Sequence, residues 1–212
     1  MNDSYLRLGE PQRTRGDQVT IDLFFRTLAD VHRTKAIGIV LSGAGADGSV
    51  GLARVKEQGG ITFAQSPQDA DYDSMPTSAI STGVVDIVLP VVEMPPKLLE
   101  IAANLVNIQI PINDPREENE PQIDPQIRNR TNQLALRDIL TLLLTRTGHN
   151  FKQYKTATIL RRIERRMQVN SIPDMNSYAT FLHDHVEETP ALLKDMLIGV
   201  TNFFRDRLSA YL

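Results

Sequence analysis

A partial doubly wound α/β unit on a parallel sheet, followed by a small all-α domain, is the fold class this sequence predicts. Three observations predict it. Helix-period and strand-like apolar runs alternate through residues 1–110, the pattern that winds a parallel sheet. Residues 111–130, "PINDPREENEPQIDPQIRNR", hold four prolines and eight charged residues. Proline fixes φ and removes donors, and the charges prevent burial, so this segment reads as a semi-extended linker. Beyond it, residues 131–212 carry only helix-period runs.

The elements follow in order. Ile21, Phe24, Phe25, Leu28 and Val31 recur at helical spacing and predict a helix over about residues 19–33. "KAIGIVL" is a continuous apolar run, as expected of a strand covered on both faces. "SVGLARVKEQ" reads as a helix closed by Gly59-Gly60. "ITFAQ" is a second strand, "MPTSAIST" a short helix closed by Gly83, and "VVDIVL" a third strand. Pro95-Pro96 opens a helix to about Asn107, since proline is tolerated in a first turn. Three strands make a small sheet, with an edge expected to lack its neighbour. Downstream, Ile139, Leu140, Leu143 and Leu144 mark a helix ending near Gly148. Further helices are predicted over about Lys155–Val169 and Asp174–Glu187, and from Thr189-Pro190 onward. After "GVTNFFRD" another helix begins, and the sequence stops inside it.

Composition narrows the function classes. Of 212 residues, 41% are hydrophobic and 23% charged, as in a soluble globular chain. No run approaches the ~20 apolar residues of a membrane span, and the polar N-terminus is no signal peptide, so membrane insertion is not expected and the cytoplasm is the expected compartment. Cysteine is absent, which excludes disulfides and thiolate metal sites. The four histidines, His32, His149, His183 and His185, do not form a metal-binding spacing, so no metal is expected. Residues 1–110 hold 9 basic and 13 acidic residues, whereas residues 131–212 hold 11 and 8. This change of sign suggests two units with different partners.

Two stretches carry candidate chemistry. Gly43-Ala44-Gly45-Ala46-Asp47-Gly48, between a strand and a helix, fits G-x-G-x-x-G. It could cradle a dinucleotide phosphate, but that site also wants an acid at the end of the second strand; Asp69 lies past it. Alternatively it is a tight turn with Asp47 as the N-cap of its own helix, or a loop that places the Asp47 carboxylate for chemistry. The second stretch is "KTATILRRIERRMQV". Leu160, Ile163 and Met167 share a face, and Arg161, Arg162, Arg165 and Arg166 lie opposite or nearby. Such a face invites an acidic partner, either protein or nucleic acid. The acidic total and the few aromatics argue against nucleic acid.

The segment from "IGIVLSGAGADG" through "GGITFAQ" and "MPTSAI" to "GVVDIVLP" closely resembles the catalytic domain of CheB-type chemotaxis receptor methylesterases, over about residues 10–105. The resemblance implies a Ser-His-Asp triad that hydrolyses glutamate methyl esters on chemoreceptors, with Asp47 as the triad aspartate. It also implies that the family's serine and histidine would precede Met1. The family's oxyanion-hole methionine is Ala44 here, and His32 does not match the family histidine. "TGHNFKQYKTATILRRIERRMQVNSIPDMNSYATFL" together with "TNFFRD" resembles the N-terminal helical domain of CheR-type chemoreceptor glutamate methyltransferases, over about residues 134–212. That resemblance implies receptor docking through Arg161, Arg162, Arg165 and Arg166. It makes Thr201 and Arg205 contacts to S-adenosylmethionine, although Gly199 stands where the family usually has Asn.

Taken together, the chain is expected to be an internal piece of a bifunctional receptor-modifying protein. Its expected parts are a partial methylesterase domain (1–110), an acidic linker (111–130) and a methyltransferase helical domain (131–212). Alone it is expected to hydrolyse no ester, transfer no methyl group, bind no cofactor, and at most bind a chemoreceptor. The alternatives are an NAD-binding α/β domain with a basic helical tail, or a nucleic-acid-binding module.

Overall fold

The computed structural model describes residues 20–107 and 125–198. The chain divides into two compact units between Leu99 and Glu100. The first contains α1 (Thr20–His32), β1 (Ile37–Val40), α2 (Ser49–Glu57), β2 (Ile61–Gln65), α3 (Ser74–Ser81) and β3 (Ile87–Leu89); α4 (Met94–Asn107) runs across the division.

The strands form a parallel sheet in the order β1-β2-β3, with Ile37 opposite Ile61 and Phe63 opposite Ile87. All five β2 residues are buried, as its central place requires. Val40 of β1, Leu52 and Val55 of α2, Ala79 of α3, and Phe25 and Ala29 of α1 make one buried apolar cluster. The third strand is shorter than "VVDIVL" predicts. The Asp86 carboxylate, not a strand carbonyl, accepts from the Thr62 amide (3.0 Å) and hydroxyl (2.7 Å), so the ladder starts at Ile87, just past Asp86, and not at Val84. Lys56 closes this buried group with an ion pair to Asp86 at 2.9 Å.

The second unit holds α5 (Pro125–Thr147), α6 (Thr156–Val169), α7 (Met175–Asp184) and α8 (Glu188–Leu197). Among its described residues there is no strand. Helix α5 starts at Pro125, inside the segment read as linker, because proline's missing amide is no loss in a first turn. Asp174 is the cap of α7 and not part of it; its carboxylate accepts from the Ser177 amide at 2.9 Å. Helix α8 begins at Glu188, one residue before the expected Thr189-Pro190 start. Ile139 and Leu143, Ile159 and Ile163, Tyr178 and Leu182, and Leu192 and Met196 bring all four helices to one core. Arg146, in the last turn of α5, donates to the carbonyls of Leu182 (2.7 Å) and His183 (2.8 Å), satisfying the end of α7. None of the helices among the described residues is long and apolar enough to cross a membrane.

Candidate functional site

The glycine loop leaves β1 and turns into α2. Gly45 and Gly48 sit at φ 95° and 94°, a conformation that non-glycine residues adopt only with strain. The loop is stitched to the segment before α3. The Gly43 amide donates to the Tyr72 carbonyl (2.9 Å), the Met75 amide to the Gly43 carbonyl (3.0 Å), and the Gly45 amide to the Ser74 hydroxyl (3.1 Å). Between these anchors, the Ala44 amide makes no hydrogen bond among the described residues, and Ala44 is exposed.

Asp47 does not cap its own helix. Its Oδ2 accepts from the Ile21 amide and its Oδ1 from the Asp22 amide, both at 3.0 Å. These amides lie in the first turn of α1, where no intrahelical acceptor exists. The cap of α2 is Gly48, which offers no side chain. Asp22 in turn accepts from the Gly51 amide of α2 at 2.6 Å. The two helix N-termini therefore lie together, each supplied with a carboxylate carried by the other's neighbourhood.

This geometry corrects the dinucleotide alternative. A pyrophosphate needs open amides at the start of α2. There the Gly51 amide is already taken, and the two carboxylates would repel the ligand. Asp69 also does not serve as a ribose acceptor. It accepts from the Gln65 carboxamide (2.8 Å) and the Val91 amide (2.9 Å). The Val91 bond first, then Gln65, hold its carboxyl below the usual range. Gln65 Oε1 accepts from the Ser42 amide at 2.7 Å, so this one side chain ties together the loops after β1 and β2, and Asp69 extends the tie to the loop after β3.

His32 is the one histidine in residues 1–99. It lies in the last turn of α1, while Asp47 lies at the first. At about 1.5 Å per residue, that puts them roughly 18 Å apart along the helix. His32 is therefore not a partner for Asp47.

The arginine helix requires a larger correction. Arg162, Arg165 and Arg166 are buried, at 2%, 1% and 8% exposure. Their acidic partners belong to the same unit. Arg165 pairs with Asp195. Arg166 donates Nε and Nη2 to Glu188 at 2.7 and 2.6 Å, and the Tyr178 hydroxyl donates to Glu188 at 2.8 Å. Arg162 donates to the Ile198 carbonyl at 3.3 Å. Expected as a face for an outside acidic partner, three of the four arginines instead lock α6 to α8. Only Arg161 is partly open to solvent. The nucleic-acid alternative loses its basic face by the same observation. Burial alone would lower the Arg166 pKa, but its hydrogen bond and charge contact with Glu188 outweigh this and raise it above the ordinary guanidinium value.

Tyr178 gives a prediction here. Burial first, and then the Glu188 charge, push its phenol well above 10.0. The folded pKa exceeds the unfolded one, so the neutral phenol's contribution is complete below pH 10.0 and is lost as pH rises toward the folded value. Urea midpoints measured upward from pH 9 should fall in the parent chain. Tyr178→Phe should be less stable at neutral pH, with a shallower alkaline decline.

Thr201 and Arg205 lie outside the described residues. Sequence reading missed Asp22, Gln65, Glu188 and Asp195. A signal existed for the last two: Glu188, Leu192, Asp195 and Met196 share one helical stripe, which places two acids on a core-facing side. Among the described residues no cluster of acids and histidines fits a metal ion.

A parallel α/β unit with its carboxylate fixed beyond the first strand, followed by a helical unit, defines the class, and family comparison names its two parts. Residues 3–98 match the CheB methylesterase family and residues 134–197 match the CheR methyltransferase all-alpha domain. The chain thus joins a CheB-type segment to a CheR-type segment, in the order the sequence resemblance implies. An uncharacterized 104.1 kDa protein from the hypE 3' region of Rhodobacter capsulatus is 35% identical over 95% of this chain and 22% of its own length. The protein-glutamate methylesterase/protein-glutamine glutaminase of Pyrococcus horikoshii is 34% identical over 42% of this chain and 24% of its own. The solved CheB methylesterase catalytic domain of Thermotoga maritima is 32% identical, with a TM-score of 0.39 over 41% of this chain and 49% of that one. The chain spans less than half the length of the curated relatives it matches.

Proposed function

We propose that this chain is part of a bifunctional chemoreceptor-modifying protein that hydrolyses glutamate methyl esters and also methylates receptor glutamates from S-adenosylmethionine. The observation that carries the esterase half is the Asp47 carboxylate, held beyond β1 by two amides at 3.0 Å. A carboxylate so fixed can keep a histidine in one tautomer and stabilise its imidazolium form while a serine attacks the ester carbonyl. The free Ala44 amide is suited to the oxyanion that this attack creates. Neither the serine nor the histidine is supplied by residues 20–99 in contact with Asp47, so these residues alone should turn over no ester.

The helical unit is read as the receptor-docking part, with Arg161 as its remaining arginine contact. Thr201 and Arg205 are carried as cofactor contacts on the resemblance alone. A cytoplasmic location fits a substrate on the receptor's signalling domain. The test is Asp47→Asn in the full-length protein, with ester hydrolysis and methyl transfer assayed on one preparation. Hydrolysis should be lost and transfer kept; unchanged hydrolysis would sink the assignment.

A further inference from the structure

We infer that Asp22 is a positioning residue for ester hydrolysis, acting through α1 on Asp47. This rests on the esterase reading of Asp47. Asp22 has two bonds that point in opposite directions. Its backbone amide donates to Asp47 Oδ1 at 3.0 Å, and its side chain accepts from the Gly51 amide at 2.6 Å. The first bond orients the proposed triad carboxylate. The second fixes the start of α1 against α2, and so fixes where the Ile21 and Asp22 amides stand.

The surroundings leave α1 no slack at this end. Asp22 is 7% exposed, so the side chain has no water to trade for the Gly51 amide. A Cβ on Gly51 would come within 2.9 Å of the Asp22 Cα and carbonyl oxygen, so the two helix backbones touch only because residue 51 is glycine. Without the Asp22 carboxylate, a buried amide on α2 is unpaired and the contact loosens. The Asp47 plane then drifts with α1. A displacement of about 1 Å in a catalytic group can cost on the order of 100-fold in turnover.

The other end of the same helix pair supplies a control. Arg54 of α2 pairs with Asp30 of α1 at 2.7 Å, in a more exposed setting and far from Asp47. Removing that tie should loosen the helices without turning the carboxylate.

The experiment uses the full-length protein with Asp22→Ala, Asp22→Asn, Asp30→Ala and Asp47→Asn. It reads kcat and KM for ester hydrolysis, and amide hydrogen exchange at Ile21 and Asp22. Those two amides lie in a first turn and owe their protection to Asp47. Asp22→Ala should speed their exchange and lower kcat by about 100-fold with little change in KM. Asp22→Asn keeps an oxygen for Gly51 and should retain most of the turnover. Asp30→Ala should leave both readouts at the parent level. Unchanged exchange in Asp22→Ala would overturn the inference whatever the chemistry. So would normal kcat in Asp22→Ala beside an inactive Asp47→Asn, a result that leaves the role of Asp47 standing. Full activity in Asp47→Asn would sink the esterase reading itself, and the inference with it.

Discussion

Asp47→Asn should lower ester hydrolysis by the full-length protein by about 10⁴-fold, the scale seen when an orienting aspartate becomes an amide in a serine triad. Two effects combine. An asparagine cannot hold the imidazole in the tautomer that accepts the serine proton. It is also mismatched locally, because both Asp47 oxygens accept amide hydrogens from α1. One of the two positions would become an NH2 group facing an N–H. Leaving that backbone donor unmet costs about 1–3 kcal/mol. The variant should therefore lose stability in the first unit as well as activity, and a denaturant midpoint gives a second readout that needs no substrate. Methyl transfer serves as the internal control. A stable variant with full turnover would show that this carboxylate does no orienting.

Glu188→Ala should cost the helical unit about 3–5 kcal/mol, the usual penalty for stripping one partner from a buried ion pair. Glu188 accepts two hydrogen bonds from Arg166 and one from Tyr178, and all three residues are buried. Truncation leaves a guanidinium with no carboxylate and a phenol with no acceptor. At about 4–8 °C per kcal/mol for a unit of this size, the thermal midpoint should drop by roughly 12–40 °C. Replacing the trio with apolar side chains (Arg166→Met, Tyr178→Phe and Glu188→Leu together) should restore much of that loss, since uncharged packing avoids the desolvation cost altogether. Circular dichroism melts of the single and triple variants would check this. Equal melts for Glu188→Ala and the parent would mean that the network contributes nothing.

The fold was legible wherever short-range pattern decides it. "ITFAQ" matches β2 residue for residue, and the helix predicted to start at about Asp174 does so with that aspartate as its cap. The outlines of α1, α2, α3 and α4 follow from apolar period and glycine or proline punctuation. What stayed hidden depends on partners far along the chain. The Asp47 acceptor role rests on amides 25 and 26 residues earlier, which no local rule reaches. The arginine helix misleads for the same reason. Its charges look like a solvated face until Glu188 and Asp195, 22 and 30 residues later, fold onto them. Of the predicted apolar face on α6, Ile163 and Met167 are fully buried, and the departure is confined to its first turn. Ile159 is buried at 3% exposure and Leu160 only partly so, because α6 is enclosed on more than one side.

The Gln65 carboxamide has a consequence for how this sheet can be redesigned. Position 65 accepts at one end, from Ser42, and donates at the other, to Asp69. Glutamate would keep the first bond and set two negative charges against each other. Methionine or leucine would match the volume and keep neither. Only a side chain with both polarities on one short stem fits, so residue choice there is set by bonding direction and not by size, and a library that varies 65 without 69 should return glutamine almost alone.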